Sequence, residues 1–484
     1  MDHRDRREWI TSRPPPKPEL LAALHDVAAL TPLAFAELGK HIPIEWLEQV
    51  LQLAPGFAKM RERKMPLDRA LWLLIGMAIF ADRSIQAVVS HLRLALPGGT
   101  PGIDPSALPQ ARRRLGFAPL DALLDLTGQH WAIAAAAASR WRGLSLFASD
   151  GTCMRIPDTA ANEAAFGRPG SGHRSKAGYP QARLVALMAV RSHLVVAANR
   201  GGLDQGEPTL IQPVLERIPD DSLTILDRGF ISWKLAHDIR SQGRERHWLI
   251  RAKKNLTWKV LEKLGPGDVL VEIALRPALR REHPDLPATI TARVVSYRVK
   301  GYRPQKLITS LVDARRFPKE ELAGIYHERW EIELGYDELK THMLERNESL
   351  RSKTPDGVRQ EIAGILVAYN LVRQAMLKAA SEVGVDPRRM SFRNALLSVR
   401  NFCVTAWLTS PGSLPKLLIG LESDLRLLVL PERRSTRRYK RSVKIKMSNY
   451  QRNRRRGSAR IRRRSLLAST SATNPTRRGS RSLI

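Results

Sequence analysis

IYHERWEIELGYDELKTHM, residues 325–343 and hereafter the central segment, is the stretch of sequence that decides how the chain is understood. It contains Tyr326, Arg329, Glu333 and Lys340, at offsets of 3, 4 and 7 residues. At about 100° per helical residue, the four fall within an arc of roughly 60° on one predicted helix face. Cations beside an acid suit a metal-bound phosphate group. The alternative is a solvated face, where runs of charge usually lie.

The charge of the chain predicts a polyanionic partner. Its 484 residues, long enough for two to four domains, carry a formal net charge of +33. Residues 431–484 hold 19 Lys and Arg and one acid, a net charge of +18, so the remaining residues carry +15. Such a balance favours nucleic acid as the partner. We expect the tail to bind DNA phosphates without reading the base sequence.

Cysteine content and hydropathy indicate the cellular compartment in which the protein works. Two cysteines, Cys153 and Cys403, are too few for a disulfide framework or a Cys-rich zinc site, which fits a reducing cytosol. The longest apolar run, residues 70–81, is too short to span a bilayer. The sequence therefore predicts a cytoplasmic protein with no membrane partner.

The first part of the chain has a helical pattern. Residues 1–18 form a polar, Pro-rich leader, and Leu and Ala dominate residues 19–140. Helices are predicted at 19–28, 45–53, 66–81, 84–93, 105–115 and 119–138. Arg112, Arg113 and Arg114 lie near the end of one of them. These arginines either contact DNA phosphates or complement the helix dipole.

From Leu144 onward the pattern changes to mixed α/β. Residues 144–400 begin with three strand-like runs, then alternate helix and strand, and residues 254–318 are rich in strand-like alternation. Residues 401–430 are predicted to be helical. Residues 431–484, rich in Arg and Ser, are predicted to be disordered when unbound.

Two further acids stand where strands are predicted to end. Asp150 follows an apolar run in ASDGT, and Asp227 follows another in LTILDRGF. An acid at the end of a buried strand is costly unless it is solvated, paired or metal-bound. With Glu333, they offer carboxylate oxygens from three elements, which suits two Mg²⁺ or Mn²⁺ ions. The alternative for each aspartate is a turn role.

These motifs resemble one family. The pattern Y-x2-R-x3-E-x6-K resembles the signature of the IS4-type DDE transposases, and DGT and DRGF precede it in the family's order. RKMPLDRALWLLIGMAIF, residues 63–80, is similar to the family's helical N-terminal domain. The resemblance covers residues 40–400. It implies an RNase H-like catalytic domain with a β-rich insertion, preceded by an all-α DNA-binding domain.

The resemblance also implies roles for the site residues. Asp150, Asp227 and Glu333 would hold two Mg²⁺ or Mn²⁺ ions. Arg329 and Lys340 would bind phosphates, and Tyr326 would hydrogen-bond a phosphate near the cleaved bond. The implied partners are double-stranded DNA, as terminal inverted repeats and target, and a second copy in a homodimer. The implied location is the bacterial nucleoid.

Two other functions stay open on the sequence. One is a non-catalytic DNA-binding relic or repressor on the same fold, although all three acids are present. The other is an RNase H-like nuclease, which needs the acids but not the Tyr-Arg-Lys row.

A Gly-rich loop at residues 167–172 adds basic candidates. Its spacing resembles a phosphate-binding P-loop, but His173 and Arg174 stand where that motif needs Lys and Ser or Thr. We predict instead that Arg168, Arg174 and Lys176 contact DNA.

Overall fold

The computed structural model describes residues 31–59, 65–94, 104, 106–169, 178–253, 255–298, 304–345, 349–409 and 411–432. The chain divides after Pro431 into two units, and the fold described here belongs to the first. The predicted leader and the first predicted helix lie outside the described residues, as does the tail beyond Glu432. The domain boundaries proposed from sequence stay a prediction.

Helices come first along the chain, as predicted. Those before the sheet are α1 (Ala36–Gly39), α2 (Ile44–Leu51), α3 (Leu67–Ile79), α4 (Ile85–His91), α5 (Ala107–Leu115), α6 (Ala118–Thr127) and α7 (Ile133–Ala138). A π-helical turn, Gly128–Ala132, joins α6 to α7. Helix α3 is apolar on all sides and almost wholly buried, as expected for a helix surrounded by others.

One mixed sheet forms the centre of the molecule. Its strands are β1 (Ser145–Arg155), β2 (Gln181–Ala189), β3 (Val195–Gly201), β4 (Ser222–Leu226), β5 (Arg246–Arg251), β6 (Lys259–Gly265), β7 (Asp268–Ala274), β8 (Thr289–Tyr297) and β9 (Gln305–Thr309). Their order across the sheet is β3-β2-β1-β4-β5-β9-β8-β7-β6. Strands β1, β4 and β5 are parallel neighbours.

The predicted β-rich insertion extends this sheet. Strand β9 pairs antiparallel with β5, so β6 to β9 continue the ladder that β1 to β5 begin. Short helices lie between the strands: α8 (Ala160–Phe166), α9 (Glu207–Leu210), α10 (Gln212–Leu215), α11 (Trp233–Ser241) and α12 (Pro277–Glu282). The fold class predicted from sequence is confirmed, while β6 and α12 were not predicted individually.

The central segment is not one regular helix. Helix α13 (Lys319–His327) ends before Arg329, and α14 (Trp330–Asp337) runs into a π-helical turn, Glu338–Met343. Between α13 and α14 the backbone hydrogen bonds span three residues instead of four, since the amide of Arg329 donates to the carbonyl of Tyr326. The predicted arc of four residues on a uniform helix is therefore wrong in detail, because the turns before Glu333 and after it differ in pitch.

A long helix ties the first helices to the sheet. The last helices are α15 (Pro355–Glu382), α16 (Phe392–Thr405) and α17 (Leu414–Leu427). The side chain of Asn370 on α15 accepts a hydrogen bond from the amide of Val195 on β3 and donates to Thr127 on α6. No helix in the described part of the chain has the length and apolar character needed to cross a membrane.

Gly128 permits the close contact between the π-helical turn and β3. A methyl group there would overlap the carbonyl oxygen of Val196. We predict that Gly128→Ala lowers the free energy of unfolding by about 1–3 kcal/mol, the usual cost of overpacking. Gly420→Ala on α17 is the control, since nothing lies near its added methyl group and Ala favours the helix. Denaturant unfolding measures both, and equal effects would contradict the prediction.

Candidate active site

Asp150 and Asp227 are brought together by strand register. The parallel pairing of β1 with β4 ends at Ser149 opposite Leu226. Asp150 and Asp227 are the next residue of each strand, and neighbouring strands lie about 4.8 Å apart. Asp227 thus follows the carboxyl end of β4, next to Asp150 on β1. The prediction that Asp150 also ends its strand is wrong, because β1 stays paired with β2 as far as Arg155.

Asp150 is held in a half-enclosed position. One carboxylate oxygen accepts from the amide of Gly151 at 2.8 Å, and its backbone carbonyl accepts from the hydroxyl of Tyr336 on α14 at 2.7 Å. Burial raises the pKa of the Asp150 carboxyl to about 6, against the opposing effects of the Gly151 amide and Arg329. The negative charges of Glu207 and Glu333 add to the rise. The site therefore favours a cation beside Asp150.

Arg329 is that cation in this structure. Its Nη2 donates to Oε1 of Glu333 at 2.8 Å, and its Nη1 lies 3.8 Å from Oδ2 of Asp150. Its side chain is only 8% exposed. Burial alone would lower the pKa of Arg329, but the hydrogen bond to Glu333 and the charges of Tyr326, Asp227 and Glu333 raise it. One guanidinium therefore interacts with all three predicted acids.

Tyr326 and Lys340 flank this group. Burial raises the pKa of Tyr326 to about 12, and the charge of Asp227 also raises it, while Arg329 opposes the shift. The ammonium of Lys340 donates to Oγ1 of Thr152 at 3.1 Å and to the carbonyl of Cys153 at 3.2 Å, both on β1. The structure thus brings both residues to the region of the acids, despite the irregular helix.

Glu207 is a fourth acid that sequence reasoning missed. It begins α9, and its carboxylate lies so close to Gly151 that a methyl group there would collide with it. Its charge contributes to the raised pKa of Asp150. The sequence around it, QGEPT, has no pattern that marks an acid near a site, because the loop after β3 alone brings it there.

The donor chemistry of these residues fits a divalent metal. Carboxylate oxygens are the ligands that Mg²⁺ and Mn²⁺ prefer, and Arg329 already stands as a cation among them. As arranged here, no three acidic, histidine or cysteine side chains in the described ranges form a group that could hold an ion.

The arginines predicted to bind DNA differ in their surroundings. Arg112 on α5 donates to Gln360, Ser352 and the carbonyl of Gly357, which joins α5 to α15. Arg114 donates to the carbonyl of Met65, and Arg113 is exposed. The contacts of Arg112 give it a structural role that the sequence did not indicate. A DNA contact by any of the three stays a prediction.

The basic loop is described only in part. Arg168 pairs with Asp158 and Glu163 and donates to the carbonyl of Gly178. Arg168 thus has protein partners, and the DNA contact predicted for it stays a prediction. Arg174 and Lys176 lie outside the described residues, and their proposed contact with DNA stays a prediction.

Comparisons with known proteins identify the family. A family model described as the transposase DDE domain matches residues 141–371, and one described as the insertion element 4 transposase N-terminal matches residues 32–125. The transposase InsG for insertion sequence element IS4 of Escherichia coli (strain K12) is 38% identical over 85% of this chain and 92% of that protein. The chain belongs to the IS4 family of DDE transposases.

Two further proteins are similar to this IS4-family chain. The putative transposase InsZ of Escherichia coli (strain K12) is 32% identical over 56% of this chain and 93% of that protein. A cryo-EM structure of the piggyBac transposase synaptic complex with hairpin DNA matches 83% of this chain and 86% of that one, with a TM-score of 0.40 and 13% identity.

Family membership confirms the predicted activity. The chain is a transposase, an enzyme that cleaves DNA and transfers strands during transposition. The DDE transposase domain also implies dependence on a divalent metal in general. The resemblance drawn from residues 63–80 and from the central segment is thus confirmed, since each stretch lies within one of the two matched ranges.

The raised pKa of Asp150 makes stability depend on pH in the metal-free protein. Its folded pKa of about 6 exceeds the ordinary value of 3.8, so its ionisation costs stability progressively between pH 4 and 6 and fully above. We predict that Asp150→Asn in EDTA raises the free energy of unfolding at pH 7 by about 2 kcal/mol. At pH 4 the variant and the parent should unfold alike. A variant less stable at pH 7 would contradict this.

Proposed function

We propose that Asp150, Asp227 and Glu333 hold two Mg²⁺ or Mn²⁺ ions and cut DNA at the ends of an insertion sequence. The observation that supports this most is the register of β1 and β4, which makes Asp150 and Asp227 neighbours beside a guanidinium bonded to Glu333. Ions held there would supply the Lewis-acid chemistry that activates an attacking oxygen and stabilises a leaving one. Water would hydrolyse a phosphodiester to leave a 3′-OH and a 5′-phosphate, and that 3′-OH would then attack a target phosphodiester, form a new P–O bond and displace the 3′ oxygen of the target strand.

Each cationic or phenolic side chain has a task on the substrate. Lys340 extends from the π-helical turn along β1 beyond Asp150, where its ammonium would bind a phosphate oxygen as a point charge. Tyr326 stays protonated, because its pKa is about 12, and its hydroxyl would donate to a phosphate near the cleaved bond. Both groups would add positive charge or donors where the transition state gains negative charge.

Arg329 would change partners when the substrate binds. In this structure it neutralises Glu333 and Asp150, the oxygens that a metal also needs. A DNA phosphate offers the guanidinium an equivalent bidentate partner. Phosphate binding would therefore release the carboxylates for the ions, so that metal and DNA bind more tightly together than separately.

The remaining partners follow from the family and the charge of the chain. We propose that the helical residues 19–140 bind the terminal inverted repeats, and that two copies pair two ends. The net charge of +33 supports binding to DNA phosphates. Exposed Arg113, together with Arg174 and Lys176, are candidates for such contacts. The proposed place of action is the bacterial nucleoid.

We predict that Asp227→Asn abolishes strand cleavage but leaves binding to the inverted repeat nearly unchanged. The amide keeps the shape of the side chain and loses the charge that a metal needs. Single-turnover cleavage and gel-shift assays on a duplex of the element's own end measure the two. Asp125→Asn, which breaks an ion pair with Arg217, is the control and should still cleave. If the Asp227→Asn variant still cleaves DNA, the proposal that Asp227 holds a metal ion is wrong.

We predict that Arg329→Gln has two opposite effects. Cleavage should fall on the order of 100- to 1,000-fold, as when one transition-state donor is lost. Without DNA, the variant should bind Mn²⁺ more tightly than the parent, because no guanidinium competes for Asp150 and Glu333. Titration followed by electron paramagnetic resonance measures the second effect. Weaker Mn²⁺ binding would show that Arg329 organises the metal site instead of competing for it.

A further inference from the structure

The back of the central segment carries three glutamates that face one short turn. Glu328 lies between α13 and α14, Glu331 is on α14, and Glu338 opens the π-helical turn. The turn that joins β2 to β3 faces them. Its Arg191 forms a two-pronged pair with Glu328 at 2.8 and 3.0 Å, and its His193 faces Glu331 and Glu338.

His193 is fixed by partners on both ring nitrogens. Its Nε2 lies 2.9 Å from a carboxylate oxygen of Glu331, and its Nδ1 lies 2.6 Å from Nη2 of Arg373 on α15. A carboxylate only accepts and a guanidinium only donates, so Nε2 carries the proton and Nδ1 accepts. His193 also has φ of 60°, a backbone conformation uncommon for residues other than glycine. The turn is therefore shaped to present this ring.

Glu338 and Arg373 form the centre of the network. The Nε of Arg373 donates to Oε2 of Glu338 at 3.0 Å, its Nη2 donates to the other oxygen, and the hydroxyl of Tyr369 donates at 2.8 Å. The side chain of Arg373 is 1% exposed. Burial would raise the pKa of Glu338, but the charge of Arg373 overrides it and holds the pKa at about 2. The pair is thus ionised in the buried interface between the central segment and α15.

This network and the active site share one helix but use opposite faces. Glu331 and Glu338 lie about 140–160° around a helix from Glu333. The regular helix ends at Asp337, and the π-helical turn begins at Glu338 and contains Lys340. A π-helical turn needs a local reason to persist, since its geometry is rare. The buried partners of Glu338 supply that reason.

We propose that Glu338 is a positioning residue of the transposase: its bonds to Tyr369 and to Arg373, which also donates to His193, hold the π-helical turn that delivers Lys340 to β1. The inference rests on the proposed role of Lys340 at the substrate. The turn between β2 and β3 contributes no residue to the active site. The inference nevertheless gives this turn a part in placing the ammonium of Lys340.

A double-mutant cycle on cleavage tests the inference. Glu338→Gln and Lys340→Ala are made singly and together, and single-turnover cleavage of the element's end is measured. We expect Glu338→Gln to slow cleavage on the order of 100-fold, the effect of a misplacement of about 1 Å. If Glu338 acts through Lys340, the double variant should cleave no more slowly than the slower single variant. If the fold-reductions in cleavage rate of the two single variants multiply in the double variant, the inference is wrong.

Two further variants separate positioning from stability. Asp268→Asn is the control, because it breaks a different buried ion pair, the one with Arg293 in the insertion. The fold-reduction in cleavage rate that it causes should multiply with the reduction caused by Lys340→Ala when the two are combined. Tyr369→Phe removes one hydrogen bond from Glu338 and keeps the ring, which covers the case in which Glu338→Gln does not fold. Tyr369→Phe should reduce the cleavage rate less than Glu338→Gln does, and it should cause no further reduction when Lys340 is already alanine. If Lys340→Ala cleaves normally, the proposed role of Lys340 is wrong and this inference falls with it. If the reductions caused by Glu338→Gln and Lys340→Ala multiply in the double variant, only this inference is wrong.

Discussion

Mutual repulsion among carboxylates is the constraint on which the site depends. Asp150 and Asp227 are adjacent by strand register, and the negative charges of Glu207 and Glu333 also act on the half-enclosed carboxyl of Asp150. Such a group is unfavourable unless a cation accompanies it. In the absence of metal, Arg329 is that cation. The same arrangement that makes the site costly to fold would make it, on the proposed function, a binder of divalent ions, which is the usual trade between stability and activity.

The rest of the fold holds these charges at fixed positions. Parallel strands set the two aspartates, and α14 must keep one rotation about its axis if Glu333 and Lys340 are to reach them. Apolar packing contributes to that rotation, since Ile332 and Tyr336 are buried while Trp330 and Leu334 on the same helix are exposed. The buried pair between Glu338 and Arg373 is directional, because a bidentate contact is lost when the helix turns. Buried ion pairs are better explained by such specificity than by stability.

Sequence reasoning recovered the parts that depend on local pattern. Apolar runs before Asp150 and Asp227 predicted two strands, and both are present, although β1 continues past Asp150 to Arg155 while β4 ends just before Asp227. The helices from 45 to 115 agree with their predicted bounds within two residues at each end. Neither result required long-range information. The metal site inferred from the acids depends on ions and DNA as well as on the fold, so it remains a proposal.

What sequence reasoning missed depends on partners that are distant in the chain. Glu331, Glu333 and Glu338 are chemically identical and lie within eight residues, yet one faces the site and two face His193 and Arg373. Periodicity placed them on a uniform helix, whereas the π-helical turn begins at Glu338, whose partners Tyr369 and Arg373 lie on α15. Arg112 gives the same lesson, since Gln360, 248 residues away, accepts from a guanidinium that looked ready for DNA. A charged side chain therefore acquires its role from the element packed against it, and that element becomes known only when the tertiary fold is known.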